Sequence, residues 1–165
     1  MRYFARDKLA GWANQAFLIS VVCFSLAGCT KHEQAESFDV TDRLQGLWAR
    51  DAAQVWAVGE EGSILHTADG GEHWQPQTSG TVETLAALCG GGTELWIVGT
   101  DGTILYSADG GQTWQPQVSG TAHHLLGVFN IGSELWSVGY GGAILHSVDG
   151  GRSWQRETAE SLPSG

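Results

Sequence analysis

The sequence predicts an all-β protein, a partial β-propeller of three four-stranded antiparallel blades, and three observations carry that expectation. The first is a fixed period. Thr67-Ala68-Asp69-Gly70-Gly71-Glu72-His73-Trp74 returns 40 residues later as Ser107-Ala108-Asp109-Gly110-Gly111-Gln112-Thr113-Trp114, and again as Ser147-Val148-Asp149-Gly150-Gly151-Arg152-Ser153-Trp154. Trp56, Trp96 and Trp136 keep step, as do the pairs Ile64-Leu65, Ile104-Leu105 and Ile144-Leu145. Fixed periods of this size mark stacked structural units. The second is that each period holds four short β-forming segments divided by turn residues, which is the size of one blade. The third is that no segment after the first 28 residues spaces its apolar residues as a helix would.

In chain order, Arg2, Arg6 and Lys8 precede the apolar run Ala16 to Gly28. That run is short for a membrane span, which needs about 20 residues, and suits the core of a secretory signal. It ends in Leu26-Ala27-Gly28-Cys29, which resembles the lipobox of bacterial lipoprotein signals. The resemblance implies a signal peptide over 1–28 and a lipidated Cys29 as the mature N-terminus. Thr30, not Asp, follows the cysteine, which resembles lipoproteins sorted to the outer membrane. The expected location is the cell envelope, lipid-anchored, at the outer membrane or its periplasmic face. Residues 29–42 are polar and aperiodic and read as a tether. With Cys23 removed and Cys29 lipidated, Cys89 stands alone, so no internal disulfide is expected. In the apolar stretch Leu85-Ala86-Ala87-Leu88-Cys89 it reads as a small core residue.

The middle repeat gives the blade. Leu85 to Cys89 is a first strand, Gly90-Gly91-Gly92 a turn, and Glu94 to Gly99 a second strand. Thr100-Asp101-Gly102 is a hairpin turn, Thr103 to Ser107 a third strand, and Asp109-Gly110-Gly111 a turn. Thr113 to Val118 is the fourth strand, placed at the sheet edge because Pro116 has no N–H to donate. Adjacent apolar residues such as Ile104-Leu105 predict a sheet covered on both faces. Trp48 reads as a core residue at the position held by Leu88 and Val128 in the later repeats. The propeller segment is expected over 43–160, with 161–165 as a tail.

The pattern Ser/Thr-x-Asp-Gly-Gly-x-x-Trp resembles the Asp-box, or BNR repeat. The longer frames from Leu95 to Trp114 and from Leu135 to Trp154 are similar to the photosystem II stability/assembly factor group of these propellers. Asp69, Asp109 and Asp149 can fold back on following backbone N–H groups, while Gly71, Gly111 and Gly151 admit tight backbone. Trp74, Trp114 and Trp154 can then swing between blades. The resemblance implies that these boxes lie on the rim and are structural.

Composition narrows the function. From Cys29 onward the chain has 17 acidic and 5 basic residues, a net of −12. Such a surface repels phosphate backbones, so nucleic acid is not an expected partner. BNR repeats also occur in sialidases, whose sites need converging arginines and a tyrosine nucleophile. The mature chain has only Arg43, Arg50, Arg152 and Arg156, with Tyr106 and Tyr140. A general glycosidase needs two facing carboxylates. Glu61 and Asp101 are the candidates, but an acid before glycine also suits a tight turn, and Gly141 stands there in the third repeat. His66, Tyr106 and His146 share one aromatic slot, which packing explains. His123-His124 with Cys89 matches no metal-ligand spacing. No catalytic residue, metal or cofactor is expected.

The expected function is therefore a non-catalytic, lipid-anchored propeller that binds another protein during assembly of a membrane complex. The family resemblance implies a role in photosystem II biogenesis and hence photosynthesis. The alternative is a glycan-binding or sialidase-like BNR domain presenting tryptophans to sugars. Closed propellers use about four to eight blades. Three blades leave end faces open to three readings: two chains close a six-bladed ring, the chain caps a partner, or it is a truncated form of a longer propeller.

Overall fold

The computed structural model describes residues 43–157. The expected signal peptide, tether, lipid-bearing Cys29 and C-terminal tail lie outside the described residues. The chain between them forms three four-stranded antiparallel sheets. The first blade is β1 (Leu44–Ala49), β2 (Val55–Gly59), β3 (Ile64–Thr67) and β4 (Gln75–Gln77). The second is β5 (Leu85–Gly91), β6 (Glu94–Gly99), β7 (Ile104–Ser107) and β8 (Gln115–Gln117). The third is β9 (Leu125–Ile131), β10 (Glu134–Gly139), β11 (Ala143–Ser147) and β12 (Gln155–Arg156). Strands follow sequence order across each sheet. The first strands β1, β5 and β9 neighbour one another from blade to blade. Pro76 and Pro116 sit on the last strands, β4 and β8, at the sheet edge where the missing N–H costs no ladder bond.

Each blade has two apolar faces because it lies between neighbours. The trailing face of the first blade presents Trp56, Val58 and Ile64, which meet Leu88, Ile97 and Leu105 from the leading face of the second. One blade on, Val98 and Ile104 of the second meet Leu145 of the third, with Val128 against them. All these residues except the half-buried Val128 are buried. The pair Ile104-Leu105 therefore points one side chain to each neighbour, as the sequence predicts. The third blade splits its pair. Leu145 is buried and Ile144 is 39% exposed.

Three local expectations change. Gly90 and Gly91 belong to β5, and the turn falls on Gly92 and Thr93. Gly90 and Gly91 continue the ladder opposite Leu95 and Glu94, and position 90 requires glycine because a Cβ there would lie 3.0 Å from Cη2 of Trp48 in the preceding blade, and closer still to Leu95. The fourth strand is shorter than expected, three residues in β8. Trp48 aligns differently. It pairs opposite Trp56, as Cys89 pairs opposite Trp96 and Phe129 opposite Trp136. The first hairpin, closed by Arg50 N–H to Gln54 C=O at 3.0 Å, carries one extra residue and shifts β1 by one position. Trp48 packs on Trp56 at a ring separation of 5.6 Å and against the cluster between the first two blades.

A buried and an exposed aliphatic side chain of the second blade test this packing. Ile97, with none of its surface exposed, loses about 2–5 kcal/mol on Ile97→Ala, whereas Val118→Ala, at 86% exposure, stays within about 0.5 kcal/mol. Denaturant midpoints at constant slope measure both.

Candidate functional site

The recurring motif folds into one compact loop between the third and fourth strands of every blade. In the second blade the Ser107 hydroxyl donates to Asp109 Oδ1 at 2.7 Å and accepts from Gly111 N–H at 2.8 Å. Asp109 Oδ1 also accepts from Thr113 N–H at 2.9 Å, and Oδ2 accepts from the Thr113 hydroxyl at 2.7 Å. The third blade repeats this with Ser147, Asp149, Gly151 and Ser153. In the first, Thr67, Asp69 and Gly71 do the same, and the His73 ring takes the place of the hydroxyl, Nδ1 lying 2.7 Å from Asp69 Oδ2. The carboxylate thus bridges to the residue four positions on, so the loop is wider than a simple Asx-turn. The Ser or Thr two residues before each Asp is as much a part of it. Their recurrence in all three repeats was the available signal.

These bonds favour the charged carboxylate. Bonds from the Thr113 side chain and backbone, then from Ser107, lower Asp109 to about 2, and the matching set from Ser153 and Ser147 lowers Asp149 to about 2. Asp69 is lowered further, first by the His73 N–H and then by Thr67 and the His73 ring. Asp69, Glu72 and His73 bring one ligand-type atom each within 4.8 Å and are exposed. The hydrogen bonds between Asp69 and His73 mirror those of Asp109 and Thr113, so this cluster is the same loop with an imidazole in it.

The loop glycines and tryptophans face the preceding blade. A Cβ on Gly111 would lie 2.7 Å from Nε1 of Trp56, and one on Gly151 closer still to Nε1 of Trp96. Trp114 packs on the cluster holding Trp56, and Trp154 on the cluster holding Trp96. Gly71 meets only its own Trp74.

The other candidates separate. Glu61 and Asp101 occupy left-handed backbone, at φ 55° and 51°, in the tight turn before the third strand; Gly141 holds that place in the third blade at φ 64°. They are turn residues of successive blades. His124 Nδ1 accepts from Asp101 N–H at 3.0 Å, while Cys89 is buried with Trp96 and Leu135. Burial raises the Cys89 thiol to about 12, which removes it as a nucleophile or a ready ligand at neutral pH. His66 stacks on Trp56 and His146 on Trp136, at ring separations of 4.4 and 3.8 Å, and Tyr106 packs beside Trp96. Burial lowers the His66 pKa. Of the arginines, Arg50 lies over Trp56 and pairs with Asp51, and Arg156 donates to Gly141 C=O. Arg43 and Arg152 stand before β1 and in the third Asp-box. A groove of about 570 Å³ runs between the turns Ser79–Thr81 and Ser119–Thr121, over Trp114 and Pro116. Asp101 is the one carboxylate lining it, so it lacks the facing pair that glycoside hydrolysis needs.

Comparison with known proteins agrees with this architecture. Residues 91–164 match the family described as Photosynthesis system II assembly factor YCF48. The solved structure of YCF48 bound to D1 peptide superposes with a TM-score of 0.64 at 26% identity, over 70% of this chain and 39% of that one. YCF48 from Cyanidioschyzon merolae superposes with a TM-score of 0.62 at 25% identity, over 73% of this chain and 42% of that one. This chain therefore spans about two fifths of the length of the structures it matches. No curated protein matches it significantly. The chain is a run of Asp-box propeller blades similar to the photosystem II assembly factors.

The lowered carboxylates set a pH dependence. Their folded values lie below the ordinary 3.8, so their stabilising effect is complete above that value and is lost as pH falls from 3.8 to about 2. Thermal midpoints should hold steady above about pH 5 and fall below 4. Asp109→Asn should lower the midpoint at neutral pH and make that acid decline shallower; an unchanged decline would show that the Asp109 bonds do not stabilise the fold.

Proposed function

We propose that this chain is a lipid-anchored, non-catalytic propeller module that binds a protein partner in the assembly of a membrane complex, as the YCF48 proteins it resembles are assembly factors. The observation that supports this most is the match of its blades to YCF48 bound to D1 peptide. The carboxylates that a glycosidase reading would need are engaged in rim loops and tight turns, Asp109 by Thr113 and Ser107, Asp101 by the turn itself. Matching bonds at Asp69 and Asp149 support the reading of all three Asp-box carboxylates as structural. Thr30 after Cys29 supports the envelope location, with residues 29–42 as the tether that lets the blades reach a membrane-embedded partner.

Charge says what such a partner presents. With 17 acidic and 5 basic residues from Cys29 onward, the chain favours a neutral or basic docking segment, and the encounter weakens with salt. Among the described residues the groove over Trp114 suits a sugar ring, and it makes glycan binding the second reading.

Two measurements test this. Metabolic labelling with radioactive palmitate should mark the wild-type chain and leave Cys29→Ser unlabelled and released from the membrane fraction; label on the variant would sink the anchor. Cross-linking in intact membranes followed by capture should return one integral membrane protein in stoichiometric amount, more weakly at raised salt. Glycan-array binding without any such partner would favour the sugar reading instead.

A further inference from the structure

The joint between the first two blades carries a groove beside the edge strand β8, and the third blade shows what fills such a place. Pro116 pairs opposite Leu105, and Arg156 opposite Leu145, so the two occupy the same position on successive edge strands. Asp101 and Gly141 likewise hold the same position in the turn before the third strand. In the third blade the Arg156 guanidinium reaches across to that turn and donates to Gly141 C=O at 3.4 Å. In the second blade Pro116 has no such reach, and the space is the groove of about 570 Å³ over Trp114. The second blade therefore lacks the cation that the third supplies for itself.

One end of the groove is negative. Asp101 lines it with a side chain that is 69% exposed. Asp51, Asp69, Asp109 and Asp149 all accept backbone N–H bonds, whereas the Asp101 carboxylate accepts none from a described residue. His124 does not supply one: its Nδ1 accepts from Asp101 N–H at 3.0 Å, so that nitrogen has no proton for Oδ1, 3.6 Å away. Glu83 accepts from Thr100, the residue before Asp101, and adds a second negative charge at this end. The turn itself does not require a carboxylate, since Gly141 makes the same turn. Arg43, Arg50, Arg152 and Arg156 are the only arginines or lysines between 43 and 157, and none lines the groove. Away from Asp101 the wall is apolar, with Trp114 half-buried, Pro116 exposed and Val118 86% exposed.

We propose that this groove docks an extended segment of a protein partner, with an arginine of that segment paired to Asp101. The proposal rests on the reading of the chain as a protein-binding module and gives that module its contact. The apolar part of the segment lies over Trp114, Pro116 and Val118, and its guanidinium takes the place that Arg156 fills one blade on. A guanidinium matches a carboxylate through two parallel N–H donors and stacks on aromatic faces, so one side chain answers both ends of the groove. A neutral sugar can use the indole but leaves the charge at Asp101 uncompensated.

The test is a titration of labelled peptides with the full chain in mild detergent, read by fluorescence polarisation. The peptides are short and capped, with one arginine among alanine, valine and proline, and the comparison set carries citrulline, a neutral isostere, in its place. Arginine peptides should bind, more weakly at raised salt, and about tenfold more weakly to Asp101→Asn, whose amide tolerates the left-handed turn. Citrulline peptides should bind wild type as weakly as arginine peptides bind that variant. Pro116→Arg, at an exposed position, should abolish binding with unchanged far-UV circular dichroism, because it gives the second blade the guanidinium that the third has. Glu61→Gln, in the equivalent turn of the first blade, should bind as wild type does. No binding of arginine peptides, equal binding of the citrulline forms, or undiminished binding by Pro116→Arg overturns the proposal, as does a glycan that occupies the groove when no peptide does. Cross-linked capture of a membrane partner at full yield by both Asp101→Asn and Pro116→Arg overturns the groove alone and leaves the protein-binding reading standing.

Discussion

The seating of an Asp-box glycine on the tryptophan of the preceding blade is the contact on which the rest of the described structure depends. Gly111 approaches Trp56 and Gly151 approaches Trp96 so closely that no side chain fits between them. The carboxylate bonds exist to hold that glycine there: Ser107 and Thr113 fix Asp109, and Ser107 in turn fixes the Gly111 N–H. A buried tryptophan removes about 150–250 Å² from water, on the order of 4–6 kcal/mol. Against that, the indole N–H groups of Trp56, Trp96 and Trp154 are buried without a hydrogen-bond partner, at about 1–3 kcal/mol each. The apolar gain wins, which is why the joints tolerate three orphaned donors.

Because each blade touches only its neighbours, position along the chain decides what an identical residue does. Ile64, Ile104 and Ile144 occupy the same place in successive repeats, and the first two are core while the third is surface. The same holds for Trp56, Trp96 and Trp136. Repetition copies the side chains, but only a following blade makes them a core.

The period, the four strands per blade and the edge placement of Pro116 were legible because they are local. Turn chemistry, β-propensity and a missing N–H act within a few residues. The placement of Gly90 and the alignment of Trp48 were not, because each is set by another element. Gly90 stays in β5 since it pairs with Leu95 of β6, and Trp48 of the preceding blade leaves no room for a side chain there. Trp48 shifts by one since the first hairpin is one residue longer, closed by Asp51 accepting from Ala53 and Gln54 N–H at 2.9 Å. The 40-residue count is unbroken at Trp56 and later, so nothing in the repeat itself revealed the extra residue. The Asp-box roles of Ser107 and Thr113 were readable as recurring letters, and became chemistry only when the i to i+4 bridge was seen.

Charge and apolar surface divide along the same line. The acids sit in turns and loops or at strand ends, at Glu60, Glu61, Glu72, Glu83, Asp101 and Glu134, while the blade faces are built from Trp, Val, Ile and Leu. A turn carboxylate can also be recruited by its neighbours, as Thr100 donates to Glu83 and Tyr106 to Glu94. The consequence is a chain whose net charge repels other copies at a distance, while its apolar surface remains neutral at contact range. Indiscriminate association by exposed apolar surface is then opposed everywhere except where two surfaces match closely enough to exclude water. That is the condition under which exposed apolar surface serves selective docking and avoids becoming an aggregation site.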